Sequence, residues 1–252
     1  MAKNHFNTLV KSLEEGQLKN DLKLCTQTKL IPTDFSIGHR GARLKFPEHT
    51  KESYIAASRL GAGMIECDVT FTKDKELVCR HSQCDLHTTT NILTIPELAN
   101  NCSQPFSPAE FDTVGKLLKK ASAKCCTSDI TLNQFKSLTG KVESKNVKAT
   151  NIKDYIKIDY RLYPDLYQET GILLSHLESI KLFQSLGVKM IPEIKEAKVQ
   201  MPFDDTFTQE KYVQKIVDEY KSLHVSGNNV FIQSKNLDDV LYIITNEKDF
   251  AD

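Results

Sequence analysis

What this sequence lacks narrows it first. It has no net charge, because Lys plus Arg and Asp plus Glu number 33 each over 252 residues. A nucleic acid or an anionic membrane selects a basic surface, so this balance supports neither as a partner. No apolar run approaches the roughly 20 residues that span a bilayer, so no transmembrane segment is expected. The amino terminus, MAKNHFNTLVKSLEEGQ, is too polar to read as a secretory signal. C-x-x-C spacing is also missing, and Cys25, Cys67, Cys79, Cys84, Cys102, Cys125 and Cys126 therefore fit no zinc-binding pattern. What is present is a 40% apolar content over a chain long enough to bury a sizeable core in one α/β domain.

The informative stretch runs from Ser36 to Asp85, SIGHRGARLKFPEHT followed by IECDVTFTKDKELVCRHSQCD. MIECDVTF is apolar, rich in strand formers and long enough for one buried strand. Residues two apart on a strand share a face, so Glu66 and Asp68 point the same way. Two carboxylates on one face of an apolar strand do not both stay ionised without a cation nearby. An all-oxygen pair suits a hard metal, Mg²⁺ or Ca²⁺, whereas the plainer alternative is a wet strand end with solvated acids. The neighbours favour the first reading. SIGHRG is a short strand ending on a His-Arg-Gly turn, where Gly41 lets the backbone bend and His39 and Arg40 face inward. ELVCRH ends likewise on His81. Three strand ends carrying His-Arg, Glu-x-Asp and His match a site at the carboxyl ends of parallel strands. Further on, VKMIPEIKE is another strand, with Glu193 and Lys195 two apart on one face.

HRGARLKFPEHT, IECDVTFTKD, LVCRH and DLHTTT together resemble the signature of the glycerophosphodiester phosphodiesterase family, in its fungal and protist type with a long insertion. The likeness continues through AKCCTSDITLNQF, IPEIKE, MPFDD, TQEKYVQKIVDEY and QSKNLDDVLY. It implies a (β/α)8 TIM barrel and hydrolysis of glycerophosphodiesters to an alcohol and glycerol 3-phosphate with a divalent metal. Carried over residue by residue, it makes Glu66, Asp68 and Glu193 metal ligands, His39 and His81 the acid and base, and Arg40 and Lys195 phosphate contacts. The partner implied is a small-molecule glycerophosphodiester. Lys235 departs from the pattern, since the family usually has an aromatic after Gln-Ser. Relatives of this subtype look secreted, which stands against the polar amino terminus and leaves the compartment open.

Taken in order, residues 1–33 read as a helical extension, with Phe6, Leu9, Val10 and Leu13 at helical spacing and Gly16 as a stop. Thr50 caps a helix bearing Ile55, Ala56 and Leu60, which Gly61 ends. Over 95–165 the βα rhythm lapses into a polar, Pro-punctuated insertion after the third strand, with one helix opened by the Thr131 and Gln134 capping box. Ser175 and Glu178 open another helix, closed by Gly187. TFTQEKYVQKIVDEYKSL carries an apolar stripe of Tyr212, Ile216, Tyr220 and Leu223, which reads as core. Cys67 and Cys79 fall at strand positions and read as small buried hydrophobes. Cys102 with Cys125 or Cys126 brackets the insertion's loop-rich part, where a disulfide would help in an oxidising compartment.

Five strands are expected, around Ile37, Ile65, Val78, Ile191 and Phe231, in a single domain over 1–252. A barrel of this type has eight, so the last three βα units are expected to be missing. Two other classes fit part of the pattern. A phospholipase D-like fold shares the His, Glu-x-Asp, His order but acts on membrane phospholipids, and an incomplete barrel without activity could persist as a binding module.

Overall fold

The computed structural model describes residue 7 and residues 9–25 and 31–251. Near the amino terminus, residues 9–12 are helical and α1 (Gln17–Cys25) follows directly after Gly16. Gly16 therefore separates two helical pieces, and Lys19 locks the turn by donating to the Lys11 and Leu13 carbonyls and pairing with Glu15. Val10 is buried while Leu9 and Leu13 are exposed. Phe6 lies outside the described residues.

The barrel part starts with β1 (Thr33–Gly38), α2 (Lys51–Arg59) and β2 (Ala62–Phe71), a βαβ unit with parallel strands. Thr50 caps α2 through its side chain, and Gly61 takes φ +99° just past the helix end. β3 (Leu77–Cys79) then pairs with β2 in antiparallel fashion. This corrects the expected third parallel strand at Val78. A parallel return needs a crossover of a dozen or more residues, whereas β2 and β3 are joined by a tight turn in which Thr72 accepts from Glu76 and Lys75 takes φ +65°.

Between β3 and the next barrel strand the chain builds three small antiparallel pairs. β4 (Gln104–Ser107) pairs with β7 (Ser122–Lys124), and β5 (Glu110–Phe111) with β6 (Leu117–Lys119). β8 (Thr139–Lys141) pairs with β9 (Thr170–Ile172), and α3 (Leu132–Lys136) sits between, opened by the expected Thr131 and Gln134 capping box. This segment is less polar in its packing than its composition suggests. Leu86, Ile92, Leu98, Ile130, Phe135 and Tyr155 bury themselves in a second core that reaches Val78 and Leu173. Thr127 Oγ1 donates to the Phe71 carbonyl at 2.7 Å and Lys73 N to that of Ile130 at 2.9 Å, which docks the segment on the end of β2.

The parallel pattern resumes with α4 (His176–Leu186), capped by Ser175 and Glu178 and ended by Gly187 at φ +66°, a left-handed position that favours glycine. β10 (Lys189–Ile194), α5 (Gln209–Ser222), β11 (Gln233–Ser234) and α6 (Leu237–Asn246) follow. Strand order is β1-β2-β10-β11, a curled parallel sheet of half-barrel type, with β3 attached to β2 outside that path. On its helix side, Tyr212, Ile216, Tyr220, Ile180 and Phe183 pack against Ile65, Cys67 and Val69. Tyr212 also donates its hydroxyl to the Val69 carbonyl at 2.5 Å, so α5 is pinned to the middle of the sheet.

Three cystines complete the frame. Cys102 is bonded to Cys125, one of the two expected partners, and Cys126 is bonded to Cys84. Cys67 and Cys79 are buried as expected but are bonded to each other, which corrects their reading as plain hydrophobes. Antiparallel pairing sets Cys79 opposite Val69, two residues from Cys67, a closeness that the parallel reading of β3 hid.

Candidate active site

Each site residue is placed by a strand or the turn that leaves it. After β1 the chain turns through Arg40 at φ +58° and Gly41 at φ +82°. A Cβ at Gly41 would lie 2.4 Å from Ser53 Oγ and 2.8 Å from the Ser53 carbonyl carbon, so the turn needs glycine. It leaves the Arg40 amide donating to Glu66 Oε2 at 3.0 Å and His39 Nε2 3.5 Å from the same oxygen. His39 itself is largely exposed.

On β2, Glu66 and Asp68 share a face as expected, and register sets Glu193 of β10 directly opposite Asp68. One carboxylate oxygen from each of Glu66, Asp68 and Glu193 lies within 4.8 Å of the others. Burial and the neighbouring Asp68 raise the Glu66 carboxyl. Asp68 is raised too, chiefly by burial and by Glu193, against the pull of Lys195 and Arg40. Burial acts the same way on Glu193, but the hydrogen bond and charge of Lys195 outweigh it and hold that carboxyl low. Lys195 Nζ is 2.8 Å from Glu193 and 3.7 Å from Asp68 Oδ1. Asp68 Oδ1 is fully buried with no hydrogen-bond partner. Three grouped carboxylates, one of which keeps a buried oxygen without a hydrogen-bond partner, are an oxygen-only set that fits a hard divalent cation.

The arrangement also uses residues beyond the expected seven. Arg40 Nη1 meets Glu48 Oε2 at 3.0 Å, while its Nε sits 3.6 Å from Asp68 Oδ2. Glu48 is shared with the fully buried Arg80, whose Nε lies 3.7 Å from Asp85. Despite the burial that would raise it, Arg80 and the other cations bring Glu48 down to about 2. His81 falls in this second group, its ring within 4.8 Å of Glu48 and Asp85 oxygens. Two guanidinium groups already neutralise those carboxylates, so this cluster has no charge left for a metal. Burial, then Arg40 and Lys195, lower His81 to about 4. Gln233 of β11 donates to Glu66 Oε1 at 3.0 Å and His49 Nε2 meets Asp68 Oδ2 at 2.8 Å.

The structure thus brings Arg40, Glu66, Asp68, Glu193 and Lys195 into one contact network, with His39 against Glu66 and His81 against Glu48. Glu48, His49, Arg80, Asp85 and Gln233 are the additions. Glu48 and His49 stand in the PEHT stretch and Arg80 precedes His81, so proximity in sequence to the motif was their signal. Gln233 opens the QSKNLDDVLY stretch of the likeness, but its place at the site follows only from the β10–β11 register. Beyond Glu48 a cavity of about 260 Å³ opens between Leu44 and the segment carrying Val142, Glu143 and Tyr163.

Comparison with known proteins bears on the family and the fold. A protein of Arthroderma benhamiae named "Extracellular protein" is 36% identical over 107 residues, covering 42% of this chain and 44% of that protein. A crystal structure from Silicibacter pomeroyi, named "Putative glycerophosphoryl diester phosphodiesterase", superposes with TM-score 0.59 at 18% identity, over 88% of this chain and 64% of that one. An Oleispira antarctica phosphodiesterase in complex with its product sn-glycerol-3-phosphate gives TM-score 0.51 at 18% identity, over 84% and 62%. At such identities the two structures speak for the fold, and the chain spans less than two thirds of each of these three proteins. The glycerophosphoryl diester phosphodiesterase family model matches residues 39–250, from the first site histidine to the last turn, and the chain belongs to that family.

Proposed function

We propose that this chain hydrolyses glycerophosphodiesters to an alcohol and glycerol 3-phosphate at the site formed by β1, β2 and β10. One observation carries the reading: three carboxylates bring one oxygen each within 4.8 Å of one another, Asp68 Oδ1 is buried without a hydrogen-bond partner, and Arg40, Lys195 and His39 stand against them. Membership of the family and the product bound by the Oleispira antarctica enzyme support it.

Glu66, Asp68 and Glu193 are the residues that would hold a divalent cation, Mg²⁺ or Ca²⁺. Bound there, it supplies positive charge to the phosphoryl oxygens. Arg40 and Lys195 add fixed cations on the same oxygens, in a site where charge stabilisation is worth more than in water. His81, neutral above about pH 4, accepts the proton of the attacking hydroxyl. As the phosphorus–oxygen bond to the alcohol breaks, His39 gives a proton to the departing alkoxide. Water as nucleophile gives glycerol 3-phosphate directly, whereas attack by the neighbouring glycerol hydroxyl expels the alcohol to leave a cyclic phosphate that a water then opens at the same groups. The cavity lined by Glu48, the partner of Arg40, offers room for the alcohol half.

Glycerophosphocholine hydrolysis tests this. Turnover is expected to require divalent metal, to stop with EDTA and to be lost in Glu66→Gln and Asp68→Asn. His39→Ala and His81→Ala should each lose about two to four powers of ten in kcat while retaining metal binding. Turnover that survives both chelation and the carboxylate substitutions would sink the assignment.

A further inference from the structure

Within the Glu66, Asp68 and Glu193 cluster, Asp68 keeps Oδ1 without a hydrogen-bond partner and commits Oδ2 to one. Three fully buried side chains decide that. Tyr54 of α2 places its hydroxyl 2.8 Å from His49 Nδ1, and His49 Nε2 lies 2.8 Å from Asp68 Oδ2. All three are inaccessible to solvent, so no water competes for these bonds. Each end of the ring has one partner, and a carboxylate that serves a cation has no proton to give. Nε2–H therefore donates to Asp68, and Nδ1 accepts from the Tyr54 hydroxyl. Backbone geometry is committed to the same end. His49 holds φ +53°, a left-handed value unfavourable for a residue with a Cβ, and its amide donates to the Arg40 carbonyl at 3.1 Å. Behind it, the Tyr54 ring packs edge-on against Phe183 of α4 at 4.8 Å between centroids, so the hydroxyl cannot swing away. Strain held by surrounding contacts, next to a carboxylate whose other buried oxygen has no hydrogen-bond partner, marks a device that aims that oxygen.

We infer that Tyr54 and His49 are positioning residues that orient the Asp68 carboxylate, and that they set the affinity of the three-carboxylate site for a divalent cation. This rests on the metal reading above. Outer partners of this kind typically change metal affinity by about 10- to 100-fold.

Mn²⁺ titration of the full chain, with free ion followed by electron paramagnetic resonance, tests it without recourse to turnover. His49→Ala is expected to weaken the dissociation constant about 10- to 100-fold at unchanged stoichiometry. His49→Gln, whose amide N–H falls near the Nε2 position, should recover most of that loss, and Tyr54→Phe should weaken binding severalfold, up to about tenfold. A merely structural role would lower the number of sites and leave the affinity of the folded fraction alone. Parental affinity in folded His49→Ala overturns the inference. Should His49→Ala fail to fold, parental affinity in Tyr54→Phe overturns it instead, and a weakened constant supports it. A parent chain that binds no Mn²⁺ removes the metal reading itself, and the inference with it, which is a separate outcome.

Discussion

At the scale of single residues, the site is a lesson in how buried charge is kept. Arg80 is inaccessible to solvent and faces Glu48 and Asp85, and Glu48 in turn holds Arg40. Breaking a buried pair by removing one partner leaves an uncompensated charge, so Glu48→Ala should cost about 3–5 kcal/mol. Lys119 and Glu110 also pair, at 2.9 Å, but both are exposed, and Lys119→Ala should cost less than about 1 kcal/mol. Urea midpoints of the two variants check the contrast. His87 gives a pH signature away from the site. Burial, with Lys145 and Lys141 nearby, lowers it to about 4 against an ordinary 6.5. Between those values the unfolded chain binds more protons than the folded one, so this group makes stability rise with pH from about 4 to 6.5. Going from pH 7 to pH 4.5 should therefore destabilise the parent more than His87→Asn. Equal losses on thermal melting would contradict the assignment.

At the scale of elements, the turn that carries His81 is clamped at both ends. Cys79 is bonded to Cys67, which lies on β2 between Glu66 and Asp68, and Cys84 is bonded to Cys126 in the segment below. The Arg80 amide adds a bond to the Asp68 carbonyl at 2.8 Å. Loss of the Cys84–Cys126 bond in a Cys84→Ser, Cys126→Ser variant should free one end of that turn. The expected result is reduced kcat for glycerophosphocholine with Mn²⁺ affinity unchanged, since Glu66, Asp68 and Glu193 lie on strands that this bond does not touch. Unchanged turnover would show that β3 alone holds His81. The Cys102–Cys125 bond closes a separation of 23 residues and stabilises by roughly 3 kcal/mol in the chain-entropy picture. Capping is a smaller effect. Ser175→Ala removes the acceptor for the Glu178 amide at 3.2 Å and should cost about 1 kcal/mol.

At the scale of the whole molecule, the parallel sheet has two open edges among the described residues. On β1, Phe35 is 96% exposed and Ile37 54%, and at the other side Phe231 lies 39% exposed just before β11. Parallel strands are ordinarily covered on both faces, and a long apolar edge invites pairing with another chain. The 252-residue polypeptide is accordingly expected to self-associate in solution. Light scattering coupled to size-exclusion chromatography reads this directly, and Phe35→Lys with Ile37→Lys should shift it toward monomer. A monomeric parent would mean that these edges are protected in solution.

Much of this protein was legible before folding. Strand periodicity put Glu66 beside Asp68 and Glu193 beside Lys195, because side chains alternate whatever the strand meets. Capping residues at Thr50, Thr131 and Ser175 and the glycine at 187 marked helix ends, since those signals act within four residues of chain. What the sequence could not decide was anything set by contact between distant segments. The direction of β3, and with it the Cys67–Cys79 bond, depended on a short turn closing before a crossover could form. The second core around Phe135 and Tyr155 arose from apolar residues too scattered to show a period. Gln233 reached Glu66 across 167 residues only because β10 lay between β2 and β11. Alternation along a strand is local and covalent in origin, whereas the identity of a strand's neighbour is a tertiary choice made by packing.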